Sequence, residues 1–223
     1  MLIAHYAVPL AGGRPRRTQL AARRTRAGLH PPALRGGQGL YFDAEFRDTV
    51  SAIIGQVPEV ETVVEIADPE FGVTPGPVAD AGIDGLVSYD DHLTAADDLD
   101  PAPIAWTVDD ENAIISINYT SGTTGKPKGV MYTHRGAYLN SFGGETFHNQ
   151  FTGSSRYLWT LPMFHCNGWC TPWAVTHAGA THVCLRAVRA DAIWDAIDDL
   201  ASPTCVVRRR SAPPSSARRG RIF

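Results

Sequence analysis

Lysine is nearly absent. Lys126 and Lys128 are the only two in 223 residues, so the chain's basic charge is otherwise arginine. Acidic residues are missing from the first 42 positions and from everything after Asp199. No apolar run approaches the ~20 residues of a membrane span, so none is expected. The four cysteines, at 166, 170, 184 and 205, form no Cys-x-x-Cys pair and no secreted disulfide framework. A reducing cytoplasm is therefore the expected compartment. With 43% hydrophobic and 19% charged residues, the composition is that of a globular chain of one or two domains.

The formal charge of −3 hides a split. From Tyr41 to Cys205, 23 acidic residues face seven basic ones, a net of −16. The other 13 basic residues, all arginine, lie between Arg14 and Arg35 and between Arg208 and Arg221. One cluster invites a metal reading: His165, Cys166, Cys170, His177, His182 and Cys184. Their spacings match no short zinc pattern, and the expected elements scatter them over several faces, so a zinc site is not expected.

The most informative run is Tyr119-Thr120-Ser121-Gly122-Thr123-Thr124-Gly125-Lys126-Pro127-Lys128-Gly129-Val130. It combines three glycines, four hydroxyl side chains from Thr120 to Thr124 and both lysines. Glycine lets backbone amides approach a ligand closely, and successive N–H groups on a turn form an anion site. Ser121, Thr123 and Thr124 add rotatable donors; Lys128 adds positive charge, with Pro127 stiffening the segment. Donors, a cation and no carboxylate describe a polyphosphate cradle. Ala113-Ile114-Ile115-Ser116-Ile117 precedes the run and Val130-Met131-Tyr132 follows, which predicts a loop between two strands. No Gly-x-x-x-x-Gly-Lys-Ser/Thr can be drawn through it.

Around this loop the pattern predicts a strand at 40–42 and a helix over 44–54 capped by Asp43, with Phe46, Val50 and Ile54 inward. A strand is expected at 60–66, a Pro/Gly-rich connection at 69–88 and a solvated acidic segment at 90–100. Further on come a helix over 133–142 capped by Thr133, a strand at 157–161, a helix over 171–178 and a strand at 181–185. The last is an amphipathic helix over 191–200, with Ile193, Ile197 and Leu200 inward and Asp195, Asp198 and Asp199 outward. Alternating strands and helices argue an α/β fold with a mostly parallel sheet and flanking helices. Residues 12–40 show breakers and no helical period.

Tyr119 to Val130 resembles the phosphate-loop signature of the adenylate-forming superfamily. The run Trp159-Thr160-Leu161-Pro162-Met163-Phe164-His165-Cys166-Asn167-Gly168-Trp169-Cys170, with Met131 to Ala137, is similar to the fatty-acyl-CoA synthetase branch. The resemblance covers about Tyr41 to Ala201 and implies part of that family's N-terminal domain. It implies ATP, Mg²⁺ and coenzyme A as cofactors or substrates, and a carboxylic (fatty) acid as the acyl donor. The intact family enzyme is expected as a homodimer, without a membrane span. By this resemblance Thr120, Ser121, Gly122, Thr123, Thr124, Gly125 and Lys128 hold the nucleotide's phosphates, and Thr120 also reaches Mg²⁺. His165 then lies near the substrate carboxylate, Trp169 resembles the gate of an acyl tunnel, and Cys166 lines its wall. Alone, His165 reads as a satisfied core histidine and Trp169 as core packing.

Family segments for the adenine, for the ribose and for the small C-terminal domain with its catalytic lysine find no match, so a catalytically incomplete piece is expected. The sequence divides into 1–40, 41–202 and 203–223. The arginine-rich ends are expected to be off-frame translation, which reading the coding DNA in its other frames tests. A mitochondrial presequence and nucleic-acid-binding arms are the weaker accounts of those ends. Two rival functions stay open: a non-catalytic nucleotide- or acyl-binding module, and a basic-armed nucleic-acid binder.

Overall fold

Leu40 and Phe42 stand two apart in a short leucine and aromatic run, and both are buried on one face of strand β2 (Gly39–Asp43). The computed structural model describes residues 1–10, 18–20, 39–74, 76–97, 107–120 and 128–200. The chain divides into two units, Met1–Gly136 and Ala137–Phe223.

In the first unit, β2 is one of four parallel strands. The others are β1 (Thr18–Leu20), β3 (Thr62–Ile66) and β4 (Leu86–Ser88), in the order β1-β2-β3-β4. Leu40 aligns with Val63 and Val63 with Leu86, so one buried row crosses three strands. A short helix α1 (Ala4–Leu10) precedes the sheet.

Asp43 ends β2 and starts the next element, its carboxylate accepting from Glu45 N at 3.1 Å. A 3₁₀ turn at Ala44–Phe46 leads into helix α2 (Arg47–Ile54), where Val50 is fully buried against Leu40, Phe42 and Val63. Burying one such valine contributes about 1.5–3 kcal/mol. Glu65 shares the face of Val63 and is 2% exposed. Arg47 on α2 pairs it through two guanidinium nitrogens and also donates to Pro77 O. A fork of this kind is what a buried carboxylate needs.

Three elements depart from the sequence reading. β1 lies in a stretch read as irregular, most of which falls outside the described residues. β4 lies in the expected connection at 69–88. The acidic segment is a surface helix, α3 (Tyr89–Asp97), whose start is held by Asp91 N donating to Ser88 Oγ at 3.1 Å. β1 and β4 are three residues each, set in stretches rich in proline, glycine or arginine, and they exist through their pairing with β2 and β3.

The first unit also holds an antiparallel hairpin of β5 (Ile114–Tyr119) and β6 (Gly129–Thr133). Helix α4 (His134–Leu139), where the two units divide, starts with Gly136 N donating to Thr133 Oγ1 at 3.1 Å, the expected cap.

In the second unit α4 widens into a π-helical segment, Asn140–Thr146. Strand β7 (Arg156–Leu158) pairs in parallel with β8 (Thr181–Val183), and helix α5 (Thr171–His177) lies between them in sequence. Phe151, Tyr157, Trp159, Ala174 and Val175 form the core, with Tyr157 edge-on to both Phe151 and Trp159. Helix α6 (Ala190–Leu200) buries Ile193 and exposes Asp195 and Asp198, as its periodicity requires.

Candidate functional site

The hydroxyl, glycine and lysine run is carried by the β5–β6 hairpin, so the loop does join two strands. Tyr119 pairs with Gly129 in the last rung. Beyond it, Thr120 N donates to Lys128 O at 2.9 Å, and Lys128 N donates to Thr120 Oγ1 at 3.1 Å. This reciprocal pair closes the base of the loop and leaves both residues exposed. Gly129 is required sterically: a methyl group there would come within 2.8 Å of Ile117 Cγ2. Ser121, Gly122, Thr123, Thr124 and Gly125 lie outside the described residues. Among described groups the structure therefore joins Thr120 and Lys128 at the mouth of that segment.

The second motif forms an unusual backbone. Cys166, Asn167, Gly168, Trp169 and Cys170 all have positive φ, from 48° to 63°, a short left-handed turn. Each non-glycine residue in that geometry costs roughly 1–2 kcal/mol, with asparagine the most tolerant. Gly168 has a second reason to be glycine, because its α-carbon rests on Trp159 and a methyl group would meet the ring at 2.8 Å.

Left-handed winding sorts the side chains. Asn167 and Cys170 are buried, whereas His165 is exposed and Trp169 is 47% exposed. The core readings weighed for His165 and Trp169 are thus replaced: neither is a core side chain in this unit. Half-buried Cys166 places Sγ 3.8 and 3.9 Å from the two ring nitrogens of His165. Burial pushes the Cys170 thiol pKa up, with the Asn140 side chain opposing.

Behind the turn, His182 on β8 fixes Trp159. The indole Nε1 can only donate, so His182 Nδ1 accepts it at 3.1 Å and the ring proton sits on Nε2. Nε2 donates to Thr176 Oγ1 at 3.0 Å, and Thr176 Oγ1 donates to Pro172 O at 3.0 Å. Burial accordingly lowers the His182 pKa. Sequence reading had placed His182 only in the histidine and cysteine cluster. The available signal was Trp159 itself, since a buried indole N–H requires an acceptor.

Residues 49–207 match the AMP-binding enzyme family, and the chain belongs to that family. It is 41% identical over 140 residues to an acetate–CoA ligase of Humulus lupulus, covering 60% of this chain and 24% of that protein. Over 202 residues it is 32% identical to a peroxisomal butyrate–CoA ligase of Arabidopsis thaliana, covering 87% of this chain and 33% of that one. Among solved structures, an anthranilate CoA ligase in complex with anthranoyl-AMP shares the fold with a TM-score of 0.63 at 23% identity, over 84% of this chain and 34% of that one. The chain spans about a quarter to a third of the length of these relatives. The α/β fold expected from the sequence, part of the N-terminal domain of adenylate-forming enzymes, is the fold found.

Proposed function

We propose that this chain supplies the phosphate loop and part of the acyl pocket of an ATP-dependent acyl-CoA ligase. In that reaction a carboxylate attacks the α-phosphate of ATP, giving an acyl-adenylate and pyrophosphate, and the acyl group then passes to the coenzyme A thiol. The observation that carries the reading is the Thr120–Lys128 pair, which closes the hairpin at the two ends, in sequence, of a run of glycines and hydroxyls. Charge is the obstacle to the first step, because an anion must approach a polyanion. A loop that holds the β- and γ-phosphates neutralises the leaving pyrophosphate and aligns the displacement. In this assignment Thr120, Ser121, Gly122, Thr123, Thr124, Gly125 and Lys128 hold the phosphates.

Mg²⁺ fits the same place. It is commonly held by one or two protein oxygens plus substrate phosphates. Thr120 Oγ1 accepts one bond from Lys128 N and keeps a second lone pair for it. When bound, the ion neutralises phosphate charge.

His165, exposed just before the left-handed turn, and Trp169, exposed on it, contact the carboxylate end and the chain of the acid, with Cys166 beside them. The acid is a monocarboxylate. Relatives named for acetate and butyrate put short chains first in a panel that extends to fatty acids. Residues 41–202 carry this function. The cytoplasmic expectation has a rival in the peroxisomal name of the butyrate ligase, and cell fractionation decides between them.

Calorimetric titration of the chain with MgATP tests the proposal. Lys128→Ala is expected to weaken binding about tenfold, the worth of one charge-assisted hydrogen bond. Unchanged affinity would remove Lys128 from the cradle. ATP binding without acid-dependent pyrophosphate exchange would favour the non-catalytic alternative.

A further inference from the structure

A run of positive φ across four non-glycine residues persists only where the surroundings hold it. From the first residue of α5, Thr171 Oγ1 donates to Gly168 O at 2.5 Å. From the π-helical segment, Asn140 Nδ2 donates to Trp169 O at 3.3 Å, and Ser141 Oγ lies 3.2 Å from Cys170 O. Ser141 has one hydroxyl proton and a nearer acceptor in its own helix, Ala137 O at 2.6 Å. Thr146 repeats the arrangement, with Ser141 O at 2.7 Å and Ala174 O at 3.3 Å. Each hydroxyl therefore divides its proton between a carbonyl of its own helix and one across the gap. The amide of Asn140 is the firmer hold, and Ser141 the divided one.

The winding of the turn decides which side chains face out. It exposes Trp169 while burying Asn167 and Cys170 on either side. A relaxed turn would send these side chains in other directions. We propose that Asn140 and Ser141 are positioning residues that latch the left-handed turn, and that through it they set how Trp169 and Cys166 wall the acyl chain and which chain lengths fit. The inference rests on the acyl-CoA ligase reading for its substrate, but the latch itself is open to test without any ligand.

Cys170 is 3% exposed and reacts only when the turn opens, whereas Cys184 is exposed and serves as an internal reference. Alkylation by iodoacetamide, resolved by mass spectrometry, is compared between the chain and its Asn140→Leu/Ser141→Ala variant. The Cys170 rate is expected to rise about tenfold, as loss of one to two hydrogen bonds implies, with Cys184 unchanged. Calorimetric affinities for butyrate and decanoate are measured on the same samples, and their ratio is expected to shift. An unchanged Cys170 rate in a folded variant overturns the latch. A faster rate with an unchanged ratio overturns the role in selectivity. If the unsubstituted chain binds neither acid, the acyl-pocket reading fails, and the alkylation rates still decide the latch. Should the double variant not fold, Ser141→Ala and Asn140→Gln replace it. Ser141→Ala is expected to accelerate Cys170, and Asn140→Gln, which keeps the amide donor, to leave it near the original rate; the opposite order overturns the proposal.

Discussion

Gly168 lies directly on the indole of Trp159, close enough that a methyl group at Gly168 would stand 2.8 Å and 2.9 Å from two ring carbons. The contact joins the left-handed turn to the core of the second unit, because Trp159 is itself buried against Tyr157. Gly168→Ala should therefore destabilise this unit by about 1–3 kcal/mol, through overpacking and through a φ of +56°. Gly55→Ala is the control. Gly55 ends α2 at φ −62°, and nothing lies within 4 Å of the added carbon. It should be neutral or stabilising by up to about 1 kcal/mol. Urea denaturation of both variants checks the contrast, and equal effects would contradict the packing argument.

His182 makes the second unit sensitive to pH. Its pKa is lowered by burial, so the unfolded chain takes up a proton at a higher pH than the folded one. Its contribution to stability is complete above the ordinary imidazole value and is lost as pH falls from about 6.5 toward the folded value. Protonation would also take Nδ1 away from Trp159 as an acceptor. Denaturation midpoints between pH 5 and 8, followed by tryptophan fluorescence, should decline on the acid side of about 6.5. His182→Gln should flatten that decline. His5, whose pKa burial also lowers, belongs to the first unit, so His5→Gln is the matching control. A slope unchanged in His182→Gln would assign the effect elsewhere.

Glu65 is buried and depends on Arg47 for its charge partner. Replacing Arg47 alone with methionine strands the carboxylate and should cost about 3–5 kcal/mol. Replacing Glu65 with leucine in the same chain should recover most of that loss, because an apolar pair needs no partner. A double-mutant cycle by chemical denaturation measures the coupling. If the double variant is as unstable as Arg47→Met, the pair is held by something other than charge compensation.

At the hairpin, Thr120→Val deletes the hydroxyl that accepts from Lys128 N but leaves the Thr120 N to Lys128 O bond in place. The loss should be about 0.5–1.5 kcal/mol in MgATP affinity, a smaller effect than that of Lys128→Ala. Parallel calorimetric titrations rank the two. Unchanged affinity for Thr120→Val would remove its hydroxyl from both the cradle and the Mg²⁺ site.

That the run at 119–130 joins two strands could be read from the sequence alone, because apolar, β-branched residues flank it on both sides. The flanking strands and α2 were equally plain, since Val50 and its neighbours repeat at helical spacing over enough residues to be seen. β1 and β4 were not, because each lies in a stretch whose prolines, glycines or arginines mask so short a strand. Nor was the left-handed turn. Nothing in His165-Cys166-Asn167-Gly168-Trp169-Cys170 beyond one asparagine and one glycine favours positive φ. The expected helix over 133–142 was correct for its first two turns, and the Gly143-Gly144 pair was the only hint that it would widen.

Residue order alone therefore settled the family and the alternation of strands with helices, both of which depend on neighbours within a few positions. Folding in three dimensions decided the handedness of the turn, the exposure of His165 and Trp169, and the tautomer of His182. Those outcomes depend on carbonyls, rings and donors that Asn140, Ser141, Trp159 and Thr176 bring from elsewhere in the chain, and no local pattern encodes a partner that arrives only on folding.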